Sequence, residues 1–321
     1  IAALENGYSP VSKILDAPFV LKDFSDDGTW RPTNYGDKFY GLSTLRMGIE
    51  KSRNLMTIRL ADELGLEKVA NLSENLEIYN DFPQLISSSL GSLESTLIKI
   101  TSAYASIANG GIKVVPEIIE AIQDNNGNFL YKREKRKCLR CILNFEKDEE
   151  SLKMKDEDFP EIIDNKQRVF SRETAYQMTS FLMGVIKRGT GKNINKFNFQ
   201  IAGKTGTTND NQDAWFVGYN SEITVGVFVG YDAPKSLGRY ETGSRVAAPI
   251  FGSFMENAYK KNQPRPFLIP ETIKFINVDL LTGQPSNKNY ITESFKNSFN
   301  FDKNFDDSNT DDSELELKGF Y

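Results

Sequence analysis

Apolar residues recur at helical spacing in six stretches of the chain, residues 44–49, 55–64, 67–76, 96–109, 171–187 and 246–260. Gly65 stops the second, Gly110-Gly111 the fourth and Gly189 the fifth, as glycine does where a helix must leave the right-handed region. The fifth is the most fully signalled. Ser171 caps it, Glu173 lies in its first turn, Lys187 and Arg188 in its last, and Tyr176, Met178, Thr179, Leu182, Met183 and Ile186 form its buried face. Residues 1–7 read as the last turn of another helix, closed by Gly7. Strand-like runs are shorter: 113–115, then 118–123 turning through Asp124-Asn125-Asn126-Gly127-Asn128 into Phe129-Leu130-Tyr131, and the pair 214–219 and 223–231. One further strand falls within 264–285. Sheet and helix together predict an α+β class, an antiparallel β-sheet flanked by helices.

Between these elements the pattern lapses. Residues 8–40 are loop-rich, with Pro10, Pro18, Pro32, Gly28 and Gly36. Within them Trp30-Arg31-Pro32-Thr33-Asn34-Tyr35 is extended, since a residue before proline avoids the helical region; it is either a surface loop pinned by Trp30 or the wall of a groove. A basic stretch, 132–140, is followed by a mostly acidic one, 146–161, which predicts a solvated insertion at about 132–165. Beyond 289 the chain turns polar and rich in Asn, Ser and Asp, so the expected division is a folded domain at 1–288 and a disordered acidic tail at 289–321.

Composition narrows the possibilities. With 321 residues, 39% of them apolar and 26% charged, the chain can bury a full core. No apolar run approaches the roughly 18–20 residues that span a bilayer. The net charge of -5 is accounted for by residues 301–321, seven acids against two lysines, so residues 1–300 carry 37 charges of each sign. A neutral body argues against a nucleic-acid footprint. Histidine is absent, which removes Ser-His-Asp and Cys-His catalysis and any His-ligated zinc from this chain. Proton transfer must use Lys, carboxylates, Tyr or Ser. Cys138 and Cys141 form a lone Cys-x-x-Cys without the second pair that zinc requires or the strand and helix that a redox site requires. No metal or cofactor is expected.

The chemistry concentrates in Ile201-Ala202-Gly203-Lys204-Thr205-Gly206-Thr207-Thr208. On a strand edge this run offers an ammonium, hydroxyls and an unobstructed backbone at Gly206, a set suited to an anionic, peptide-like ligand. A phosphate-binding loop is excluded, because the glycine it needs is Asn198 here and a strand, not a helix, follows. A lysine that merely protects an edge remains an alternative. Ser52-Arg53-Asn54, between two helices, is by itself an ordinary helix start.

Together and in this order, Ser52-x-Asn54 and Lys204-Thr205-Gly206 resemble the motifs of penicillin-binding proteins and serine β-lactamases. The likeness extends through Trp30-Arg31-Pro32-x-Asn34-Tyr35, Thr44-Leu45-Arg46, Leu90-Gly91-Ser92, Ala103-Tyr104-Ala105, Asn109-Gly110-Gly111, Thr174-Ala175-Tyr176-Gln177-Met178, Arg188-Gly189-Thr190-Gly191 and Asp213-Ala214-Trp215-Phe216-Val217-Gly218-Tyr219. Over roughly residues 1–285 the chain resembles the transpeptidase domain of class A, bifunctional penicillin-binding proteins of the 1A type. The resemblance implies a penicillin-binding transpeptidase fold with an all-helical subdomain beside the sheet. It also implies a peptidoglycan D,D-transpeptidase that cross-links D-Ala-D-Ala stem peptides through a serine acyl-enzyme and is trapped by β-lactams.

The same resemblance implies roles. Ser52 would relay a proton between the catalytic lysine and the departing amine, and Asn54 would hydrogen-bond the donor peptide. Lys204, with the Thr205 and Thr207 hydroxyls, would hold the terminal carboxylate. The Thr207 N–H would supply half of the oxyanion hole, Gly206 would let the substrate lie along the strand, and Trp30, Asn34 and Tyr35 would wall the groove. One departure matters: no Ser-x-x-Lys occurs among the 321 residues. The nucleophile and its lysine are therefore expected just before Ile1, with a glycosyltransferase domain and the inner-membrane anchor of a periplasmic protein further upstream. Expected partners are stem peptides on lipid II-derived glycan strands, β-lactams and other cell-wall synthesis proteins. The alternatives are a non-catalytic peptide- or carboxylate-binding module and a serine β-lactamase, although the deacylating glutamate motif of the latter is not evident.

Overall fold

A three-stranded antiparallel sheet, covered by helices on both faces, organises the molecule in a computed structural model that describes residues 1–22, 29–133, 137–139, 161–163 and 166–300. In chain order the first elements are α1 (Ala2–Glu5), β1 (Lys13–Asp16), β2 (Leu21–Lys22), β3 (Thr29–Trp30) and β4 (Gly41–Thr44). Three helices follow, α2 (Leu45–Lys51), α3 (Asn54–Leu64) and α4 (Leu66–Asn75), then a 3-10 turn at Ile86–Leu90 and α5 (Leu97–Ala108). After the short strands β5 (Ala121–Gln123), β6 (Phe129–Lys132), β7 (Lys137–Leu139) and β8 (Glu161–Ile163) comes the long helix α6 (Arg172–Lys187). The sheet strands are β9 (Ala202–Thr207), β10 (Ala214–Tyr219) and β11 (Thr224–Val229); α7 (Ala247–Ala258) and the hairpin β12 (Ile273–Asp279) and β13 (Tyr290–Lys296) close the fold.

The sheet order is β11-β10-β9, which leaves β9 at an edge. Pairing sets Lys204 opposite Val217, Gly206 opposite Trp215 and Ala202 opposite Tyr219. Because strand side chains alternate, these residues share one face, and Thr205, opposite Phe216, belongs to the other. On the first face Ala202 and Tyr219 join the core made with Ala103 and Ile107 of α5 and Met178, Phe181 and Val185 of α6. On the second, Ala214 and Phe216 pack with Ala247, Phe251 and Met255 of α7. Phe251 is fully buried, its ring 4.7 Å from that of Phe216.

The α+β expectation and the six helices hold, with ends shifted by a residue or two as fraying termini do. Three readings need correction. Residues 8–40 are not simply loops: β1 pairs with β4 from Lys13↔Thr44 to Asp16↔Gly41, and β2 with β3. These strands have two to four residues, too short to show an alternation among the prolines. At 113–115 there is no strand, only a bridge between Ile112 and Arg168. The polar stretch after 289 does not begin a disordered tail, because β13 pairs along its whole length with β12, and Glu293, Ser294 and Phe295 are buried. A buried glutamate reads as solvent-facing in sequence; here its charge is matched by Arg46. The proposed domain boundary at 288 therefore cuts through a hairpin. Most of the expected insertion, with Cys141, and residues 301–321 lie outside the described residues. Among the described residues no helix is long and apolar enough to cross a membrane.

Phe251 anchors α7 to the sheet, and Phe251→Ala should cost about 3–5 kcal/mol through lost burial and a residual cavity. Thermal unfolding reads this as a lowered midpoint, whereas a loss below about 0.5 kcal/mol would show that α7 is not part of the cooperative core.

Candidate active site

Ser52 reaches its position through a break between helices. Thr44 caps α2, its hydroxyl accepting the Met47 N–H at 3.3 Å, and the helix ends at Lys51. Ser52 then adopts left-handed geometry, φ 53° and ψ 54°, with its N–H on the Ile49 carbonyl at 3.2 Å. A non-glycine residue in that region is held against its preference, a cost that surroundings must over-determine. The next residue provides the hold. Arg53 is buried, donates to Ser43 Oγ at 2.6 Å, stacks over the Tyr40 ring at 4.1 Å and pairs with Asp16 at 3.7 Å. Arg53 thus nails the α2–α3 junction to the β1–β4 pair.

Lys204 comes from β9 on the opposite wall. Its Nζ donates to Ser52 Oγ at 2.7 Å and to its neighbour's carbonyl, Thr205 O, at 3.0 Å. The side chain is half-buried, and burial pushes its ammonium down from the usual lysine range to about 8. It remains a cation at neutral pH. With Lys204 donating into a lone pair of Ser52, the serine hydroxyl proton is directed to another acceptor.

Lys204 faces a groove of about 1090 Å³ lined by β9 from Lys204 to Thr207 and by Thr208, by Asn54 and Trp30, and by Ser87, Tyr104 and Trp215. Glu94, Asp210 and Asp213 also line it, so the groove carries both signs of charge. Asn54, the first residue of α3, donates to the Thr33 carbonyl at 2.9 Å and so fixes the Trp30 loop beside it. At Gly206 a Cβ would come within 3.0 Å of Trp215 Cβ, so glycine accommodates the indole and keeps this face of the edge strand low.

Other sequence-derived candidates sit differently. The Thr205 hydroxyl meets the Thr190 hydroxyl at 2.7 Å, and the Thr207 hydroxyl accepts the Gly243 N–H at 3.0 Å. Alternation sends both away from the Lys204 face. Each hydroxyl braces the strand, and a ligand at the strand edge would share it with that partner. Asn34 is not a groove wall. It is buried, with Nδ2 on Asp16 Oδ1 at 2.7 Å and on the Lys38 carbonyl at 2.8 Å, while Oδ1 accepts the Leu55 N–H at 3.3 Å at the start of α3. Tyr35 is 76% exposed and does not line the groove. Of these three residues the structure brings only Trp30 to the site.

Sequence reasoning missed the supports: Asp16, which takes both Asn34 and Arg53, and Thr190, whose carbonyl also accepts Ser244 Oγ at 2.7 Å. Nothing in their spacing marks them, although Thr190 lies in the Arg-Gly-Thr-Gly run. Among the described residues no group of His, Cys, Asp or Glu could hold a metal ion.

Comparison with known proteins shows the family. Residues 1–256 match the family model of the penicillin binding protein transpeptidase domain. The chain is 45% identical over 297 residues to penicillin-binding protein 1A of Rickettsia typhi, covering 92% of this chain and 37% of that protein. It is 35% identical over 327 residues to penicillin-binding protein 1A of Pseudomonas aeruginosa, covering 92% of this chain and 39% of that one. The chain thus spans well under half the length of these curated relatives. The crystal structure of penicillin-binding protein 1A from Haemophilus influenzae superposes with a TM-score of 0.76 at 29% identity, covering 92% of this chain and 46% of the other. The PonA1 protein from Mycobacterium tuberculosis in complex with penicillin V shares the fold at a TM-score of 0.65 and 21% identity, over 89% of this chain and 71% of that one.

The position of Lys204 predicts its titration. Its ¹⁵Nζ resonance should move with a midpoint near pH 8, well below that of an exposed lysine, and affinity for a carboxylate ligand should decline above that pH as the cation is lost. A midpoint above about 10 would mean that the amine is hydrated and not held against Ser52.

Proposed function

The chain belongs to the family of penicillin-binding protein transpeptidase domains, and from that premise we propose that it forms part of a periplasmic peptidoglycan D,D-transpeptidase. Its substrates are D-Ala-D-Ala stem peptides on glycan strands made from lipid II, and β-lactams react with it as substrate mimics. The observation that carries this reading is the 2.7 Å contact of Lys204 Nζ with Ser52 Oγ at the edge of an open groove.

The reaction divides into two displacements. A serine oxygen attacks the carbonyl of the penultimate D-alanine, an ester forms, the peptide C–N bond breaks and the terminal D-alanine leaves as an amine. A second amine, from a neighbouring stem peptide, then attacks the ester carbonyl, forms the cross-linking amide and releases the serine. No Ser-x-x-Lys lies within these 321 residues, and we assign the attacking serine and its activating lysine to the full-length protein outside them. A hydroxyl attacks only when a base removes its proton, and without histidine a lysine must serve.

What this chain contributes is the receiving side of the site. The Lys204 cation attracts the substrate's terminal carboxylate, with the Thr205 and Thr207 hydroxyls beside it. Ser52, whose oxygen already accepts from Lys204, passes its own proton to the departing amine. Asn54 holds the donor peptide, Trp30 flanks it, and the outer edge of β9 at Gly206 and Thr207 receives it as an added strand, with the Thr207 N–H on the developing oxyanion. These steps use no metal or cofactor. The domain includes the β12–β13 hairpin. A segment outside these residues anchors the protein to the inner membrane, where other cell-wall synthesis proteins are its neighbours.

Fluorescent penicillin tests this directly. The full-length protein should form a covalent adduct, Lys204→Ala should slow its formation by about 10²–10³-fold, and residues 1–321 alone should form none. Labelling of 1–321 alone would put the nucleophile inside this chain, and a full-length protein that binds penicillin without a covalent adduct would favour a non-catalytic binding module.

A further inference from the structure

Beyond residue 256, where the family match ends, the chain returns to the active-site helices as the strand β13. Three residues of β13 grip three helices. Lys296 Nζ donates to the Leu4 carbonyl of α1 at 2.8 Å, and the Ser294 carbonyl accepts Gln177 Nε2 of α6 at 2.9 Å, a backbone contact. The third grip is ionic: Glu293, fully buried, takes Arg46 of α2 with both carboxylate oxygens.

Arg46 is 3% exposed, and each of its five N–H donors is used. Nε and Nη2 go to Glu293, Nη2 at 2.6 Å; Nη1 donates to Glu50 Oε1 and to the Ser180 carbonyl, each at 3.1 Å; Nη2 also donates to Ser180 Oγ at 2.7 Å. Glu50, fully buried, is held from its other side by Arg188, whose Nε donates to Oε2 at 3.1 Å. Two carboxylates and two guanidinium groups make the cluster neutral. Gly184 makes room for it, since a Cβ there would lie 1.8 Å from Glu50 Oε1.

Glu50 is also where the two walls of the site meet. Along α2 it stands two positions before Ser52. Its backbone carbonyl accepts the Thr190 N–H at 3.2 Å, and Lys51 Nζ binds the Arg188 carbonyl at 2.6 Å. Thr190 in turn braces β9 through Thr205, the neighbour of Lys204. A path of direct contacts therefore runs from Glu293 through Arg46 and Glu50 to both members of the Ser52–Lys204 pair.

We propose that Glu293 is a positioning residue of the active site: by holding Arg46 it fixes Glu50, and through Glu50 the separation of Ser52 Oγ and Lys204 Nζ. The rate readout below rests on the transpeptidase reading of the site. If Glu293 lost its charge, the buried Arg46 guanidinium and the partly exposed one of Arg188 would share one carboxylate. Glu50 would then be drawn toward Arg46, because an uncompensated buried charge is among the costliest states in a fold. The end of α2, where Ser52 takes its left-handed turn, would move with it.

The test uses the full-length protein and saturation kinetics of penicillin acylation, which separate the limiting rate from apparent affinity. Glu293→Gln should lower the limiting rate by about tenfold or more with affinity changed by less than about threefold, and Glu293→Asp should recover part of the loss. Val278→Ala removes methyl groups from the buried side of β12, where Val278 is 1% exposed; it should lower the melting temperature while leaving the rate within about twofold. In a Ser52→Ala background, Glu293→Gln should add little, because residues that act as a unit are not additive. If Glu293→Gln acylates like Val278→Ala, Glu293 only holds the hairpin. A full effect that persists without the Ser52 hydroxyl would likewise overturn the proposal. Crystal structures supply a readout independent of activity: Ser52 Oγ and Lys204 Nζ should separate beyond hydrogen-bond reach in Glu293→Gln, and an unchanged 2.7 Å contact refutes the idea. Should wild type show no adduct at all, the transpeptidase reading fails, and this structural comparison still decides the positioning role. If Glu293→Gln does not accumulate, Arg46→Lys, which keeps a cation but loses the two-pronged contact, is read the same way.

Discussion

One hydrogen bond joins the two halves of the site. Lys204 and Ser52 are 152 residues apart in sequence, one on an edge strand and the other at a break between helices, and their side chains meet at 2.7 Å. For the contact to form, α2 must end where it does, Ser52 must turn left-handed, and β9 must present Lys204 to the groove rather than to α7. The chemistry follows from the direction of the bond. An ammonium with a depressed affinity for its proton donates to a hydroxyl, and that hydroxyl can pass its own proton on.

The remaining structure can be understood as bracing for that contact. Arg53 and Asn34 converge on Asp16 and tie the start of α3 to the β1–β4 pair. Thr190 and Gly243 hold the two threonines of β9 by hydrogen bonds to their hydroxyls. Arg46, Glu50, Arg188 and Glu293 form a neutral ionic cluster behind the end of α2. Such a cluster adds little net stability, because desolvation offsets its attraction, but its geometry is far more specific than that of an apolar contact. That is the property the proposed proton relay needs.

Sequence conveyed the parts whose physics is local. Helices α5 and α6 were legible because one apolar face recurs at helical spacing between clear stops, and β10 and β11 because short apolar runs flank a turn. Lys204 and Ser52 were legible as positions of one site only through the family resemblance, and their direct contact was not foreseen. The misses share a cause: polar residues were assigned to solvent or ligand by default. Asn34 and Glu293 are polar residues in apparently loop-like stretches, yet both are buried and satisfied by partners 18 and 247 residues away. No local pattern encodes such pairs.

A crystal structure of the penicillin-treated full-length protein would show whether Lys204 and Ser52 form the receiving side of the site. The ligand should be acylated to a serine of a Ser-x-x-Lys outside this chain and should lie along the outer edge of β9. Its carboxylate should sit at Lys204, Thr205 and Thr207, and the Lys204–Ser52 contact should be intact. A ligand bound with its carboxylate away from Lys204, or acylated at Ser52 itself, would contradict that role for Lys204 and Ser52.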